Sequence, residues 1–415
     1  MAMPLDVINR AKLRVAEFRL PSLPEGVAQR LDKRLMLLAM ALLIVGVVVV
    51  TSASMEVANA KHGNPFYHVI RHLIFLTMAL GFAAVSFFMP MQLWRRLGGV
   101  LLAAAFVLLI MVIVPGIGRE VNGSMRWIRL GPINIQTSEL AKLFMVVYLA
   151  GYLARRLREV RTHWWGFAKP MLVLVLMVVL LLMEPDFGAA VVLMSAALGM
   201  MFLGGVRVTQ FLLLICVSLT SIAALAVSQP YRMQRLVTFM DPWAEENVFD
   251  SGYQLTQALI AFGRGEWFGV GIGNSVQKLF YLPEAHTDFV YAILAEETGL
   301  LGSVVVISLF FLLAWRIMQI GRQSERLEQF FSAYVTYGIA FLFSAQALIN
   351  IGVNTGLLPT KGLTLPLLSY GGSSLIVCCI SLAMVLRVDY ENQCLLAENN
   401  KPVTGENLAN REVSV

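Results

Sequence analysis

One acidic residue, Asp288, stands at the predicted start of a long apolar helix in the segment YLPEAHTDF. Pro283 breaks the chain just before it, and Thr287 or Asp288 suits the N-cap of the helix that follows. The alternative role for Asp288 is a general base, which accepts a proton from a reacting hydroxyl group. A helix N-terminus lowers the pKa of a carboxyl group and burial raises it, so the residues alone leave both roles open.

Cationic and aromatic residues cluster in NGSMRWIRLGPINIQTSELAK, residues 122–142. Arg126, Trp127 and Arg129 precede a predicted apolar helix, in which Glu139 and Lys142 are spaced to pair on one face. These cations suit an anionic headgroup such as a diphosphate, which arginine binds through two parallel hydrogen bonds. The other interpretation is an ordinary helix start with a hydroxyl cap, an acid at the positive helix end and a tryptophan at the membrane interface. Both interpretations stay open.

Two further segments carry charge close to predicted helices. In GLLPTKGLTLPLLSYGGSS, residues 356–374, the prolines and the Gly-Gly pair predict irregular backbone, which membranes tolerate only where it is buried in protein or lines a cavity. Lys361 in this segment either neutralises a phosphate or extends its side chain to water. Glu296 and Glu297 lie two helical turns or more beyond Asp288, about 12 Å along the axis, and carboxylates at that depth are expected to face protein or water.

Other polar residues favour structural roles. Glu184 and Asp186 in MEPDFG fit a tight turn, which they cap and solvate. His68 and His72 have the spacing of a metal-binding pair, but the sequence shows no third ligand nearby, and interfacial histidines are the simpler interpretation. The four cysteines have no spacing typical of a zinc site or a disulfide framework. No metal site is therefore predicted.

The composition places these residues in a membrane protein. Hydrophobic residues make up 58% of the 415 residues and charged residues only 14%, against roughly a quarter charged in soluble domains. About 20 apolar residues of helix cross a bilayer, and this length predicts an all-α protein with ten transmembrane helices. The predicted spans are 34–54, 69–89, 97–115, 137–154, 169–184, 187–204, 210–228, 288–315, 331–352 and 369–387.

The lysine and arginine residues predict the orientation of the spans. One side of the membrane takes 21 of the 32 cationic residues, which makes that side cytoplasmic and places both termini there. The predicted membrane domain is 34–390, between cytoplasmic tails 1–33 and 391–415, and the stretch from about 392 is expected to be disordered. The large periplasmic loop 229–287 separates helices 7 and 8. The net charge of +6 reflects this asymmetry, so nucleic acid is not an expected partner.

Seven ordered blocks of the sequence resemble the SEDS family (shape, elongation, division and sporulation). The blocks are RWIRLG at 126–131, QTSELAK at 136–142, EPDFG at 184–188, YQLTQALIAFGRGE at 253–266, GNSVQK at 273–278, LPEAHTDF at 282–289 and LPTKGLTLPLLSYGGSS at 358–374. GNSVQK and PTKGLTLP resemble the division branch of the family. The resemblance implies a SEDS-type bundle of ten spans with a glycosyltransferase site facing the periplasm. It also implies lipid II as substrate, a class B penicillin-binding transpeptidase as partner, and the family's essential aspartate at Asp288.

The resemblance leads to a mechanistic hypothesis. Asp288 accepts the proton of a sugar hydroxyl group, while other residues hold the diphosphates of the lipid-linked substrates. The predicted substrate-binding residues are Arg126, Trp127, Arg129, Glu139, Lys142, Arg264, Glu297 and Lys361. No cofactor is expected, although a divalent cation is compatible with the leaving group.

The expected location is the inner membrane at the division septum, together with other membrane proteins of cell division. Two alternative functions remain open. A lipid II flippase would use the same cations but needs a path between both leaflets. A non-catalytic division scaffold needs only surfaces for its partners.

Overall fold

The structure, a computed structural model, describes most of the chain. The described residues are 31–121, 124–131, 133–207, 209–213, 216, 220, 238–248, 252–359 and 362–399. The predicted tails therefore lie mostly outside the described residues, as do most of the predicted seventh span, 210–228, and the candidate residue Lys361.

The described part is mostly helical, because long apolar runs alternate with short polar connections. The helices are α1 Lys33–His62, α2 Tyr67–Phe88, α3 Met91–Ile113, α4 Thr137–Thr162, α5 Trp164–Met183, α6 Phe187–Leu203, α7 Glu245–Val248, α8 Tyr253–Gly265, α9 Val290–Arg326, α10 Phe330–Asn354 and α11 Gly372–Asn399. Within the described ranges, eight helices are long and apolar enough to cross a membrane, α1 to α5 and α9 to α11. The apolar helix α6 is shorter, with 17 residues. These are the helices of a multi-pass membrane protein.

Nine predicted spans coincide with described helices, α1 to α6 and α9 to α11. The remaining predicted span falls largely on residues that are not described, so the count of ten stays a prediction. Several helices extend beyond the predicted spans, as α4 does from the predicted end at 154 to Thr162. Hydropathy detects only the apolar part of a helix, which continues into polar residues outside the hydrocarbon core.

Spanning helices joined by short connections are usually antiparallel neighbours, which places every second connection at the same end of a bundle. One end, which we call the site end, gathers five connections. They are 63–66, 114–136, 184–186, 266–289 and 355–371. Arg126 Nη2 donates to Pro185 O at 2.6 Å, and Tyr370 N donates to His286 O at 3.0 Å. These bonds join segments that are far apart in the chain.

Close packing of small residues holds the helices below the site end. A Cβ atom on Gly338 of α10 would lie 2.5 Å from Val146 Cγ1 of α4 and 2.7 Å from Met200 Sδ of α6. In lipid, such close approach replaces the hydrophobic effect as the main attraction between helices. The positions of α4 and α10 are therefore fixed relative to each other, and both lead into the site end.

The connection between α3 and α4 is a three-stranded antiparallel sheet, so the predicted all-α class is wrong for this segment. Its strands are β1 Gly118–Val121, β2 Ser124–Leu130 and β3 Ile133–Gln136, in the order β1-β2-β3. Apolar and polar residues alternate in SMRWIRL and INIQ, a pattern that favours strands but is short beside the long apolar helices. The hydroxyl cap considered for the start of this helix is also wrong, because the N-cap residue of α4 is Gln136, which makes no side-chain cap bond.

Helix α9 is broken near its start at Gly299, whose backbone has φ 70° and ψ −166°. A helix of its 37 residues is about 55 Å long, far more than a hydrocarbon core of about 30 Å requires. The loop after α8 bonds to the backbone at the break. Leu300 N donates to Glu266 O at 2.9 Å, and Gly271 N donates to Glu297 O at 3.1 Å. The part of α9 after Gly299 is long enough to cross the membrane alone, and the part before it belongs to the site end.

The last helix continues past the predicted end of the membrane domain. Residues 392–399, expected to be disordered, are the end of helix α11. Asn392 is buried, and its Nδ2 donates to Ser324 Oγ of α9 at 2.9 Å. Because this bond satisfies the buried amide, the polar stretch orders against α9.

Candidate active site

Asp288 lies in the loop before α9, where side-chain amides from α10 hold its backbone. Its carbonyl oxygen accepts from Asn350 Nδ2 at 2.9 Å and from Asn354 Nδ2 at 3.0 Å. The N-cap residue of α9 is Phe289, so the predicted capping role of Thr287 or Asp288 is wrong. The Asp288 carboxyl group is thus not used to begin the helix.

The Asp288 carboxyl group lies against the backbone of Gly362. A Cβ atom on Gly362 would stand 2.9 Å from Asp288 Oδ2 and 3.9 Å from Arg126 Nη1. Gly362 itself is exposed. Because glycine has no side chain, the acid and the guanidinium group flank one small, open surface.

Arg126 is aimed at this surface by a bulge in the sheet. The pairing of β1 with β2 shifts between Arg119 and Glu120, so that Arg126 lies opposite no residue of β1. A bulge of this kind redirects a side chain. The guanidinium group donates to Pro185 O at 2.6 Å and to Glu184 O at 3.3 Å, and it lies 3.9 Å from Asp186 Oδ1. Its side chain remains 22% exposed, so the group is positioned and can still bind an anion.

The surroundings raise the pKa of Asp288 to about 7. Burial of the carboxyl group is the largest cause, the Glu284 carboxylate adds to it, and the Arg126 guanidinium acts in the opposite direction. The ordinary pKa of an aspartate is about 3.9, so this group is far less acidic than usual. A base with a pKa near the working pH exchanges protons with a substrate hydroxyl group efficiently.

Two buried acids, Glu184 and Asp186, lie beside Arg126. The sequence did not predict this position for them. Asp186 caps α6 through Ala189 N at 3.1 Å, as predicted, and also accepts from Ser138 Oγ at 2.8 Å. Burial, and then the Asp186 charge, raises the pKa of Glu184 to about 8, so Glu184 is mostly neutral at pH 7. The signal in the sequence was two acids in a very short connection between apolar helices, where charge is costly.

Trp127 is half-buried and Arg129 is exposed, and no described contact places either side chain beside Asp288. Side chains alternate along a strand, and the intervening Ile128 is buried. Arg129 is exposed, and its Nε donates to Gly131 O at 3.1 Å. Arg126 is therefore the arginine of this cluster that the structure places beside Asp288.

Glu139 and Lys142 form the predicted ion pair, but they form it inside the bundle. Lys142 Nζ lies 2.9 Å from Glu139 Oε1 and donates to Gln346 Oε1 of α10 at 2.8 Å. Glu139 is 3% exposed and Lys142 is 2% exposed. Protein surrounds the pair, and the direct contact of either residue with substrate stays a prediction.

Glu297 is also enclosed. Its Oε1 accepts from Ser52 Oγ of α1 at 2.5 Å and from Lys278 Nζ at 3.1 Å. All three residues are buried. This network fastens the GNSVQK segment to α1 and α9, and the substrate contact of Glu297 stays a prediction.

Two other predicted cations are not placed beside Asp288 by any described contact. Arg264, at the end of α8, is exposed and lies 3.5 Å from Glu296 Oε1. Lys361 is outside the described residues and follows directly before Gly362 in the chain.

Aromatic rings border the site on the side of α2. The His68 ring centroid lies 5.1 Å from that of His286 and 5.4 Å from that of Tyr370. The spacing of His68 along the sequence gave no indication of this contact with the Asp288 segment. Within the described ranges, no group of three His, Cys, Asp or Glu side chains is placed to hold a metal ion.

The arrangement combines two chemical capacities. A carboxyl group with a pKa near 7 can take a proton from a hydroxyl group. A guanidinium group beside it can bind a phosphate or diphosphate. Such a pair suits transfer of a group from an anionic leaving group to a hydroxyl acceptor.

A sequence model of the FtsW, RodA and SpoVE family, described as cell cycle protein, matches residues 33–394. The chain belongs to this family. The match confirms the resemblance to the SEDS proteins that the seven sequence blocks indicated, and it covers all of the helices that form the site end.

Individual relatives agree with this assignment. The probable peptidoglycan glycosyltransferase FtsW of Pseudomonas fluorescens (strain SBW25) is 59% identical, over 85% of this chain and 86% of that protein. The rod shape determining protein RodA of Thermus thermophilus, a solved structure, is 29% identical with a TM-score of 0.65, over 87% of this chain and 97% of that one. A chain from a solved peptidoglycan synthase complex, described for its coordination of polymerization and crosslinking, is 31% identical with a TM-score of 0.70, over 87% and 98%. The higher identity to the FtsW relative agrees with the division-type blocks.

Proposed function

We propose that this protein is a peptidoglycan glycosyltransferase that polymerises lipid II into glycan strands during septal wall synthesis. Lipid II is a disaccharide-pentapeptide carried on undecaprenyl pyrophosphate, and undecaprenyl pyrophosphate is the product released. The name of the FtsW relative at 59% identity supports the reaction class. The observation that carries the proposal is the Asp288 carboxyl group beside Gly362 and the Arg126 guanidinium.

Asp288 acts as the general base on the acceptor. Its ionised form takes the proton of the 4-hydroxyl group of an incoming lipid II while that oxygen attacks the anomeric carbon of the growing strand. The bond from the anomeric carbon to the diphosphate oxygen breaks, with inversion of configuration, and the diphosphate leaves as an anion. This leaving group needs charge neutralisation rather than a proton, so one carboxylate is enough, unlike the pair used by glycosidases.

Arg126 supplies charge neutralisation next to the reacting atoms. Its backbone partners Glu184 O and Pro185 O fix the guanidinium group, while Asp186 Oδ1 at 3.9 Å offsets part of its charge. The raised pKa of Glu184 keeps that neighbouring acid mostly neutral at pH 7, which limits its repulsion of a diphosphate. Arg129, Arg264 and Lys361 remain candidates for more distant phosphate contacts.

The proposal includes an orientation in the inner membrane. The site end faces the periplasm, both termini are cytoplasmic, and the complete bundle has ten spans with loop 229–287 on the periplasmic side. The cationic run from Arg155 to Lys169 supports this orientation, because it lies at the end of the bundle opposite Asp288.

A class B penicillin-binding transpeptidase is the proposed partner at the septum, with other membrane proteins of cell division. The new glycan strand needs cross-linking, and a similar chain is part of a peptidoglycan synthase complex that coordinates polymerization and crosslinking.

Strand synthesis from lipid II tests the proposal, with the purified chain, its partner transpeptidase and no other polymerase. Asp288→Asn should lower the rate by at least ~10²-fold, because a positioned base contributes 10²–10⁴-fold. Glu284→Gln is the matched control, since it removes a nearby carboxylate that is not proposed to take the proton, and its effect through the pKa of Asp288 should be small beside that loss. Near-normal polymer from folded Asp288→Asn would exclude Asp288 as the base. If the wild-type complex makes no polymer, the enzyme proposal fails as a whole.

A further inference from the structure

One face of α10 carries three buried side-chain amides, Gln346, Asn350 and Asn354. Residues four positions apart lie one above the other on a helix, so the three amides form a line that runs toward the site end. We call this set the amide ladder. Burying an amide costs free energy unless it is hydrogen-bonded. The hydrogen-bond partners of these three side chains therefore show which segments they hold in place.

The lower part of the amide ladder binds the segment that contains Gly362. Gln346 Nε2 donates to Thr364 O at 3.0 Å, and Asn350 Nδ2 donates to Leu363 O at 2.5 Å. These are consecutive carbonyl groups directly after Gly362. The irregular backbone of this segment is thus tied to a regular helix.

The upper part of the amide ladder binds the Asp288 loop. Asn350 and Asn354 both donate to Asp288 O, at 2.9 Å and 3.0 Å. Asn354 Oδ1 also accepts from Ala292 N of α9 at 3.1 Å. Asn350 therefore contacts both segments, and its amide fixes the distance between the Asp288 backbone and Leu363.

Neighbouring groups decide which way the terminal amides point. Lys142 has only protons to donate, so Gln346 must present its oxygen to Lys142 Nζ and its NH₂ group to Thr364 O. The backbone N–H of Ala292 can also only donate. Asn354 therefore presents its oxygen to Ala292 N and its NH₂ group to Asp288 O. The buried Lys142 acquires a role in this way, because its ammonium group orients the amide of Gln346.

We propose that the amide ladder is a positioning device for catalysis: Gln346, Asn350 and Asn354 hold the Asp288 loop and the Gly362 segment in the register that places the base beside Arg126. This inference rests on the proposed function for its catalytic meaning. None of the three amides touches the reacting atoms, so they are positioning residues. Small displacements matter in such a site, because a shift of about 1 Å can lower the rate about 10²-fold.

Kinetics of strand synthesis from lipid II by the full chain with its partner transpeptidase give the first test. Asn350→Leu and Asn354→Leu should each lower kcat about 10- to 100-fold, with KM for lipid II nearly unchanged, because the cation that binds the diphosphate stays in place. Asn392→Leu is the matched control. Asn392 is an equally buried amide at the other end of the bundle, and its replacement should leave kcat unchanged.

A second measurement reports position without requiring activity. In the full chain with its four native cysteines replaced by serine, the pair Asp288→Cys and Gly362→Cys should form a disulfide readily, since a Cβ atom on Gly362 lies 3.9 Å from Asp288 Cγ. Adding Asn350→Leu or Asn354→Leu should slow this reaction, and adding Asn392→Leu should not.

The two measurements separate the two proposals. Slower disulfide formation in the ladder variants supports positioning even if the wild-type complex makes no polymer, an outcome that would overturn the proposed function alone. Equal rates of disulfide formation in ladder and control variants would overturn the positioning role, whatever happens to kcat. An unchanged kcat in both ladder variants of an active enzyme would overturn it as well.

Discussion

Neighbouring groups shift the pKa of Asp288 in opposite directions. Burial and the Glu284 charge raise its pKa, and the Arg126 charge lowers it. A balance of this kind makes the ionised fraction sensitive to each neighbour near neutral pH. The neighbours can therefore be identified through the pH dependence of the reaction.

The value of kcat/KM for lipid II should rise with pH through a midpoint near 7, because the base works in its ionised form. Glu284→Gln removes a charge that raises the pKa of Asp288, so the midpoint should move to lower pH. Arg126→Ala removes a charge that lowers this pKa, so the midpoint should move to higher pH. Initial rates of strand synthesis across the pH range measure both shifts. Arg129→Ala serves as the control with an unchanged midpoint, and a fixed midpoint in Glu284→Gln would show that another group governs the profile.

At the residue scale, the sequence identified Asp288 and Arg126 as candidate site residues. It did not identify Glu184 and Asp186, which lie beside Arg126. Burial divides the predicted substrate-binding residues: Glu139, Lys142 and Glu297 have buried partners in the fold, whereas Arg126 lies beside Asp288. Glu184 and Asp186 were assigned only to a turn, because nothing in a linear sequence shows that this turn meets the bulge of β2. Family resemblance supplied the role of Asp288, whereas residue types alone left it open.

At the scale of elements, a bulge and a helix break do more than the regular helices to build the site. The bulge in β2 directs Arg126 inward, and the break at Gly299 lets the loop after α8 bond to the backbone of α9. A long apolar run predicts a span but gives no sign of a break inside it. For this reason the helices were predictable from hydropathy, and the small sheet and the break were not.

Gly299→Ala should destabilise the protein, because residue 299 has a positive φ and an added Cβ atom would lie 2.5 Å from Gly269 N. Backbone strain of this kind costs about 1–3 kcal/mol. Thermal unfolding in detergent should show a lower Tm. In Gly99→Ala, the matched helical control, an added Cβ atom meets nothing within 4 Å, and the Tm should stay or rise slightly. Equal Tm values for both variants would mean that the break does not need glycine.

At the scale of the whole molecule, the buried pair of Glu139 and Lys142 links the bundle interior to the site end. It lies on α4, and its contact with Gln346 reaches α10 and the segment after Gly362. Charged groups buried this deeply need ion-pair and hydrogen-bond partners, so the pair should affect the stability of the whole bundle.

Lys142→Met should lower the free energy of unfolding by about 3–5 kcal/mol, because it leaves the Glu139 carboxylate buried without its partner. The double variant Glu139→Gln with Lys142→Met should recover most of this loss, since both charges are then removed. The fraction of protein that stays folded after heating in detergent, followed by gel filtration, measures the difference. A double variant no more stable than Lys142→Met would show that lost packing, rather than the unpaired charge, causes the effect.

The broken helix α9 also has a consequence for how the enzyme tolerates different bilayers. The segment after Gly299 responds to membrane thickness by tilting, as single spans do. The loop after α8 bonds on both sides of the break, to Glu296 and Glu297 before it and to Leu300 and Leu301 after it, so the loop holds the start of this span at the site end. When the bilayer thickness changes, we therefore expect the far end of this span to move more than the end beside the reacting groups.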